Sequence, residues 1–217
     1  TKQDDFLDIV AQNINTVFNT PGIETQSLAE ASFDTWLKYY RQNENSINSQ
    51  ISYYTKGSIV AMLLDFIILD ATDGERSIDD VMHLLYQKYL AKPEVGFTEK
   101  EIQETFETIA NQSLQTFFDD FIYGIERINI ETYFEKIGIQ LKNITVENNI
   151  YLGLETQYRE RKLVITKLEK GFGAYIGGLN VEDEIIAIDN FRVTEDFKKI
   201  YEHKTVTETI DVLVTRK

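Results

Sequence analysis

The chain has 217 residues, room for two small domains, and 42% of them are apolar, so it can bury a sizeable core and is not globally disordered. Its net charge is −14 and its sequence pI about 4.6, and no basic stripe interrupts the acidity, which disfavours binding to nucleic acid or to an anionic membrane surface. Cysteine is absent, which excludes disulfides and thiolate metal sites and leaves the compartment, cytoplasmic or periplasmic, unfixed.

The opening TKQDDFLDIV has no basic segment followed by an apolar one and does not read as a signal peptide. It also lacks an initiating Met, and an upstream portion is expected to have been removed. From Asp5 to Phe18, apolar residues at Phe6, Ile9, Val10, Ile14 and Val17 keep a helical spacing, and Pro21-Gly22 ends the helix. Ser27 to Tyr40 reads as one or two short helices, followed by the polar loop RQNENSINSQ. The stretch SYYTKG (Ser52–Gly57) then opens the greasiest helix, from about Ser58 to Asp70. Asp65 interrupts that run, which falls short of the ~20 residues a membrane span needs.

Ser77-Ile78-Asp79-Asp80 and Thr98-Glu99-Lys100-Glu101 both fit the capping box, a hydroxyl and an acid three residues apart that satisfy each other's free amides. They predict helices to about Leu90 and Ala110. Ser113 starts another that Gly124 stops, and a last short helix covers Glu131 to Ile137, stopped by Gly138. After about Lys142 the pattern turns to period two in ITVENNIYLGLETQ, KLVITKLEKG, DEIIAIDNFRV and TETIDVLVTRK. A Gly-rich turn, GFGAYIGGL, and a short helix around Glu195 to Tyr201 lie between. The predicted fold class is therefore multidomain α + β: an all-helical domain over residues 1–140, then a small β-barrel or sandwich with two short helices over residues 146–217.

Few residues carry chemistry by themselves. A zinc peptidase usually shows His-Glu-x-x-His on a helix, two imidazoles one turn apart with a Glu as general base. Here the two histidines, His83 and His203, lie far apart and neither has that spacing, so no metal ligands are assigned. The pairs Asp4-Asp5, Asp79-Asp80 and Asp119-Asp120 splay apart on a helix and read as caps and solvated faces. DATDGERSIDD lacks the spacing of a calcium loop. In SYYTKG, read alone, the tyrosines are the half-buried rings common at helix starts, and Lys56 is expected to pair with an acid or stay solvated.

Two resemblances go further. YLGL (Tyr151–Leu154) and LEKGFGAYIGGLNVEDEIIAIDNFRV resemble a bacterial PDZ domain across Asn148 to Lys217, departing from it at Phe172-Gly173, Glu182-Asp183 and Asn190. That resemblance implies a nest of amides at Leu152, Gly153 and Leu154 for a peptide's terminal carboxylate. It also implies strand addition along Leu154 to Gln157 and a side-chain pocket from Phe197, Ile200 and Tyr201. Without it, YLGL is a strand with a glycine bulge.

Upstream, Pro21-Gly22, Gln26 to Asp34 with Trp36, Asn45-Ser46, Ile51 to Tyr54 with Lys56-Gly57, Ser77 with Asp79 to Met82, and Gly96-Phe97-Thr98 resemble the glycyl aminopeptidase family. These are zinc metallopeptidases with a helical region and a C-terminal PDZ domain. Tyr54-Thr55-Lys56-Gly57 looks like the Tyr-Glu-Lys-Gly of the wider thermolysin-like aminopeptidases, with Thr55 in place of Glu. The resemblance implies that Tyr54 stabilises the oxyanion and that Gly57 lets the helix begin against another backbone. It further implies that zinc belongs to the full-length parent, with none bound by this part, that the substrates are peptides with Gly or Ala at the N-terminus, and that these 217 residues are inactive alone. Expected partners are peptide or protein C-termini and the upstream catalytic domain. The alternative is a stand-alone helical–PDZ interaction module without catalysis.

Overall fold

Helix α1 (Gln3–Phe18) buries one stripe, with Val17 in the core and Val10 and Ile14 against it. A computed structural model of the chain describes residues 3–144, 150–194, 197–205 and 207–216. It divides into two units, one of Thr1–Tyr40 with Gln50–Lys142, the other of Arg41–Ser49 with Asn143–Lys217. The polar loop after Tyr40 thus groups with the β-rich residues, which its sequence did not announce.

In the helical unit, Ser27 and Glu30 form a capping box at the start of α2 (Leu28–Phe33). Helix α3 (Ser46–Ser49) belongs to the other unit. Helix α4 runs Tyr53–Ala71, N-capped by the Ser52 side chain. It starts several residues earlier than the greasy run suggests, so SYYTKG forms the cap and first turns. The helical stretch containing it is long and apolar enough to cross a membrane by length and composition alone. In this fold its Ile59, Leu63, Leu64 and Ile68 are the centre of the core. Asp65 has a structural reason: its carboxylate accepts the Ile78 N–H at 2.7 Å, one of the four orphan amides at the start of the next helix.

Helices α5 (Ile78–Ala91) and α6 (Glu99–Ala110) both begin with the expected capping boxes. Helix α7 (Gln115–Phe118) is short and widens into a π turn over Asp119–Tyr123. Helix α8 is Ile130–Lys136, followed by Gly138 at φ +77°.

In the β-rich unit, β1 (Leu154–Arg159), β2 (Lys162–Leu168), β3 (Glu184–Ile188), β4 (Phe191–Arg192) and β5 (Val212–Thr215) make one antiparallel sheet. β1 pairs with β2, β2 with β3, and β3 with both β4 and β5. Helix α9 (Gly173–Ile176) follows β2, and a 3-10 turn covers Phe197–Ile200. The expected start of the second domain at residue 146, of the PDZ likeness at Asn148 and of the last helix at Glu195 lie outside the described residues. Two hairpin turns need left-handed backbone at both central residues: Glu160-Arg161 (φ 50° and 67°) and Asp189-Asn190 (φ 48° and 67°). Asn and Asp tolerate that region, so Asn190 serves where glycine would be usual. The core is Leu163, Ile165, Ile185, Ile188, Phe197 and Tyr201.

Candidate functional site

The start of α4 is fixed from three sides. Gly22 lies so close to the preceding segment that an added Cβ would sit 2.1 Å from the Gln50 carbonyl oxygen. The buried Gln26 side chain accepts the Ile51 N–H at 3.1 Å. Ser52 Oγ accepts the Thr55 N–H at 3.2 Å. On this fixed start Tyr54 points outward, 62% exposed.

Two expectations here are overturned. Lys56 is neither paired nor solvated. It is 1% exposed and its Nζ has no hydrogen-bond partner among the described residues. Burial pushes its ammonium below the usual lysine value. Two residues on from Tyr54, it faces the interior because α4 is walled in there, whatever its own polarity. Among the described residues Gly57 does not meet another backbone: a Cβ there would find only a Leu28 methyl at 3.9 Å.

In the β-rich unit, Gly153 has φ +74°, and a Cβ would fall 2.1 Å from Phe172 Cβ. Glycine is required there by both conformation and space. The Gly153 carbonyl accepts the Glu169 N–H at 2.8 Å and the Leu152 carbonyl accepts the Ala174 N–H at 2.9 Å. The N–H groups of Leu152 and Gly153 donate to nothing among the described residues. The Tyr151 hydroxyl donates to the buried Glu169 carboxylate. Burial first, then that hydrogen bond and charge, push the Tyr151 phenol well above its ordinary value.

The asparagine loop joins this region. Asn48 Nδ2 donates to the Leu168 carbonyl and Asn48 Oδ1 accepts the Lys170 N–H, both at 2.8 Å. Of the residues expected to bind peptide, Phe197 and Tyr201 are core, and Leu152, Leu154 and Ile200 pack half-buried against that core. A cavity of about 840 Å³ opens beside Tyr151, Phe172, Ile176 and Ile210; of the expected residues only Leu152 lines it. β1 has β2 on one side and no partner strand on the other among the described residues.

Zinc, implied by the family resemblance, does not fit these side chains. Among the described residues no three His, Cys, Asp or Glu gather where they could hold a metal ion. His83 and His203 are exposed and lie in different units. What the chain does offer is an exposed phenol on an anchored helix and two amides, of Leu152 and Gly153, without an acceptor among the described residues.

Residues 1–60 match the M61 glycyl aminopeptidase family model. The matched span contains the whole approach to α4, Tyr54 included. No curated protein matches the chain. A solved structure, an aminopeptidase N family protein from Idiomarina loihiensis, is similar over 100% of this chain with TM-score 0.84 and 24% identity. At that identity the likeness is one of fold. This chain covers 39% of that protein's length. The family match is confined to residues 1–60 and the likeness over the rest of the chain is one of fold.

Proposed function

We propose that this chain forms one wall of the active site of a zinc-dependent aminopeptidase that removes small N-terminal residues, Gly or Ala, from peptides. Tyr54 is its contribution to the chemistry. Its phenol carries an O–H donor. It can donate its O–H to the carbonyl oxygen of the substrate, where negative charge appears as water adds to the carbon and the tetrahedral intermediate forms. The observation that carries this reading is an exposed tyrosine at the start of a helix whose other side is the core of its unit, inside the segment that matches the peptidase family. The metal ligands and the general base belong to residues other than these, so the 217 residues alone should hydrolyse no aminoacyl substrate.

The test is Tyr54→Phe in the zinc peptidase that carries this chain. kcat should fall about 10²–10³-fold with KM little changed, the mark of a bond made only in the transition state. A variant with unaltered kcat would overturn the assignment.

The Leu152 and Gly153 amides and the outer edge of β1, without partners among the described residues, favour a second role for the β-rich unit, that of a PDZ domain. A chain end would place its carboxylate on the two amides and add a strand along Leu154 to Gln157. Peptides with a free C-terminus should bind and their amidated counterparts should not; equal binding of both rejects this role. Peptide binding by this chain together with no effect of Tyr54→Phe would favour a stand-alone interaction module.

A further inference from the structure

Tyr54 has neighbours that the peptidase reading does not use. Its ring lies against that of Tyr53, centroids 4.1 Å apart and planes tilted by 32°. The Tyr39 and Tyr53 rings meet edge to face at 5.9 Å and 77°. The Tyr39 hydroxyl donates to Ser52 Oγ, the cap of α4, at 3.4 Å. Behind it the chain of rings continues through Tyr40 at 5.5 Å to Trp36 at a further 5.1 Å.

The Tyr53–Tyr54 contact is not a by-product of helix geometry. Adjacent helical residues point about 100° apart and do not normally face each other. Here both side chains lean together at the first turn. Tyr53 and Tyr39 are half-buried while Tyr54 is exposed. An exposed tyrosine would otherwise sample several χ1 wells, whereas an oxyanion donor works only when its hydroxyl is already aimed.

We infer that Tyr53 is a positioning residue for Tyr54: its ring holds the Tyr54 ring in one rotamer, and Tyr39 holds Tyr53 in turn through its ring edge and through the Ser52 cap. This rests on Tyr54 being the oxyanion donor, but the clamp is measurable without catalysis.

In the 217-residue chain, χ1 couplings of an isotope-labelled Tyr54 should report one rotamer in the wild type and in Tyr53→Phe. They should report averaging among rotamers in Tyr53→Ala and in Tyr53→Leu, which keeps bulk but not the flat face. Protection of the Thr55 amide from exchange certifies that the helix start is intact in each. An already averaged wild type, or a Tyr54 that stays fixed in both Tyr53→Ala and Tyr53→Leu, overturns the inference. In the peptidase that carries the chain, Tyr53→Ala should lower kcat about ten- to a hundred-fold at constant KM, with Tyr53→Phe restoring it. Full activity in Tyr53→Ala while Tyr54→Phe is impaired also overturns it. Full activity in both sinks the oxyanion role of Tyr54 instead and leaves the couplings to judge the clamp.

Discussion

In the helical unit Lys56 is 1% exposed and its Nζ has no partner among the described residues, while in the β-rich unit Asp183 is equally buried and fully engaged. Arg216 grips both Asp183 oxygens at 2.7 Å, and the Asn180 N–H adds a bond at 2.8 Å. Each is a charge-bearing side chain taken out of water, and the handling is opposite. A charge buried with good partners costs stability when one partner is removed. A polar group buried without them costs stability as long as it stays. The sign of a substitution therefore depends on the partners more than on the depth of burial.

That contrast can be tested in order of expected size. Asp183→Ala should destabilise by about 3 kcal/mol in denaturant unfolding, since it removes three bonds to one carboxylate. The wild type should also be acid-sensitive through this group. Arg216 holds the Asp183 carboxyl below its usual 3.8, so the contribution is present above that pH and lost as the pH falls through the folded value. Asp183→Ala should lack that loss.

Lys56→Met should act the other way and raise stability by about 1–3 kcal/mol at pH 7. Burial lowers the Lys56 value from 10.5, so folding penalises the ammonium form. Wild-type stability should therefore fall as the pH drops from about 10.5 to the folded value and then level off. The advantage of Lys56→Met should shrink as the pH approaches 10.5, which a series of thermal melts would show.

Asn48→Ala should cost about 1–2 kcal/mol for two lost backbone contacts, seen locally as faster exchange of the Lys170 amide. Tyr54→Phe should leave stability within about 0.5 kcal/mol, because its ring is exposed. A larger change would mean that the hydroxyl belongs to the fold and not to the chemistry.

The parts legible in the sequence were those set by local rules. The capping boxes at Ser77 and Thr98 are where the side chains of Asp80 and Glu101 close them. The motif around Tyr54 says nothing of the Tyr39–Tyr53 support, which pairs residues from separate elements. A lysine in a first turn is usually solvated, and only the packing around α4 decides otherwise for Lys56. Asp65 looked like an interruption of an apolar run until the amide of Ile78, thirteen residues away, gave it a task. Gly22 reads as a helix stop, yet its lasting constraint is the Gln50 backbone across from it. At YLGL the glycine was legible as a special backbone position, while the reason, Phe172 filling its side-chain space, comes from a turn almost twenty residues later.

The chain passes between its units at residues 40–41, again at 49–50 and again at 142–143, and this bears on how the molecule can be dissected. A single cut after residue 142 does not release a whole β-rich unit. It leaves behind the Arg41–Ser49 excursion, and with it the asparagine that closes the backbone on both sides of Glu169. A faithful isolate of the β-rich unit would need that nine-residue piece returned, as a graft or as a peptide supplied in trans.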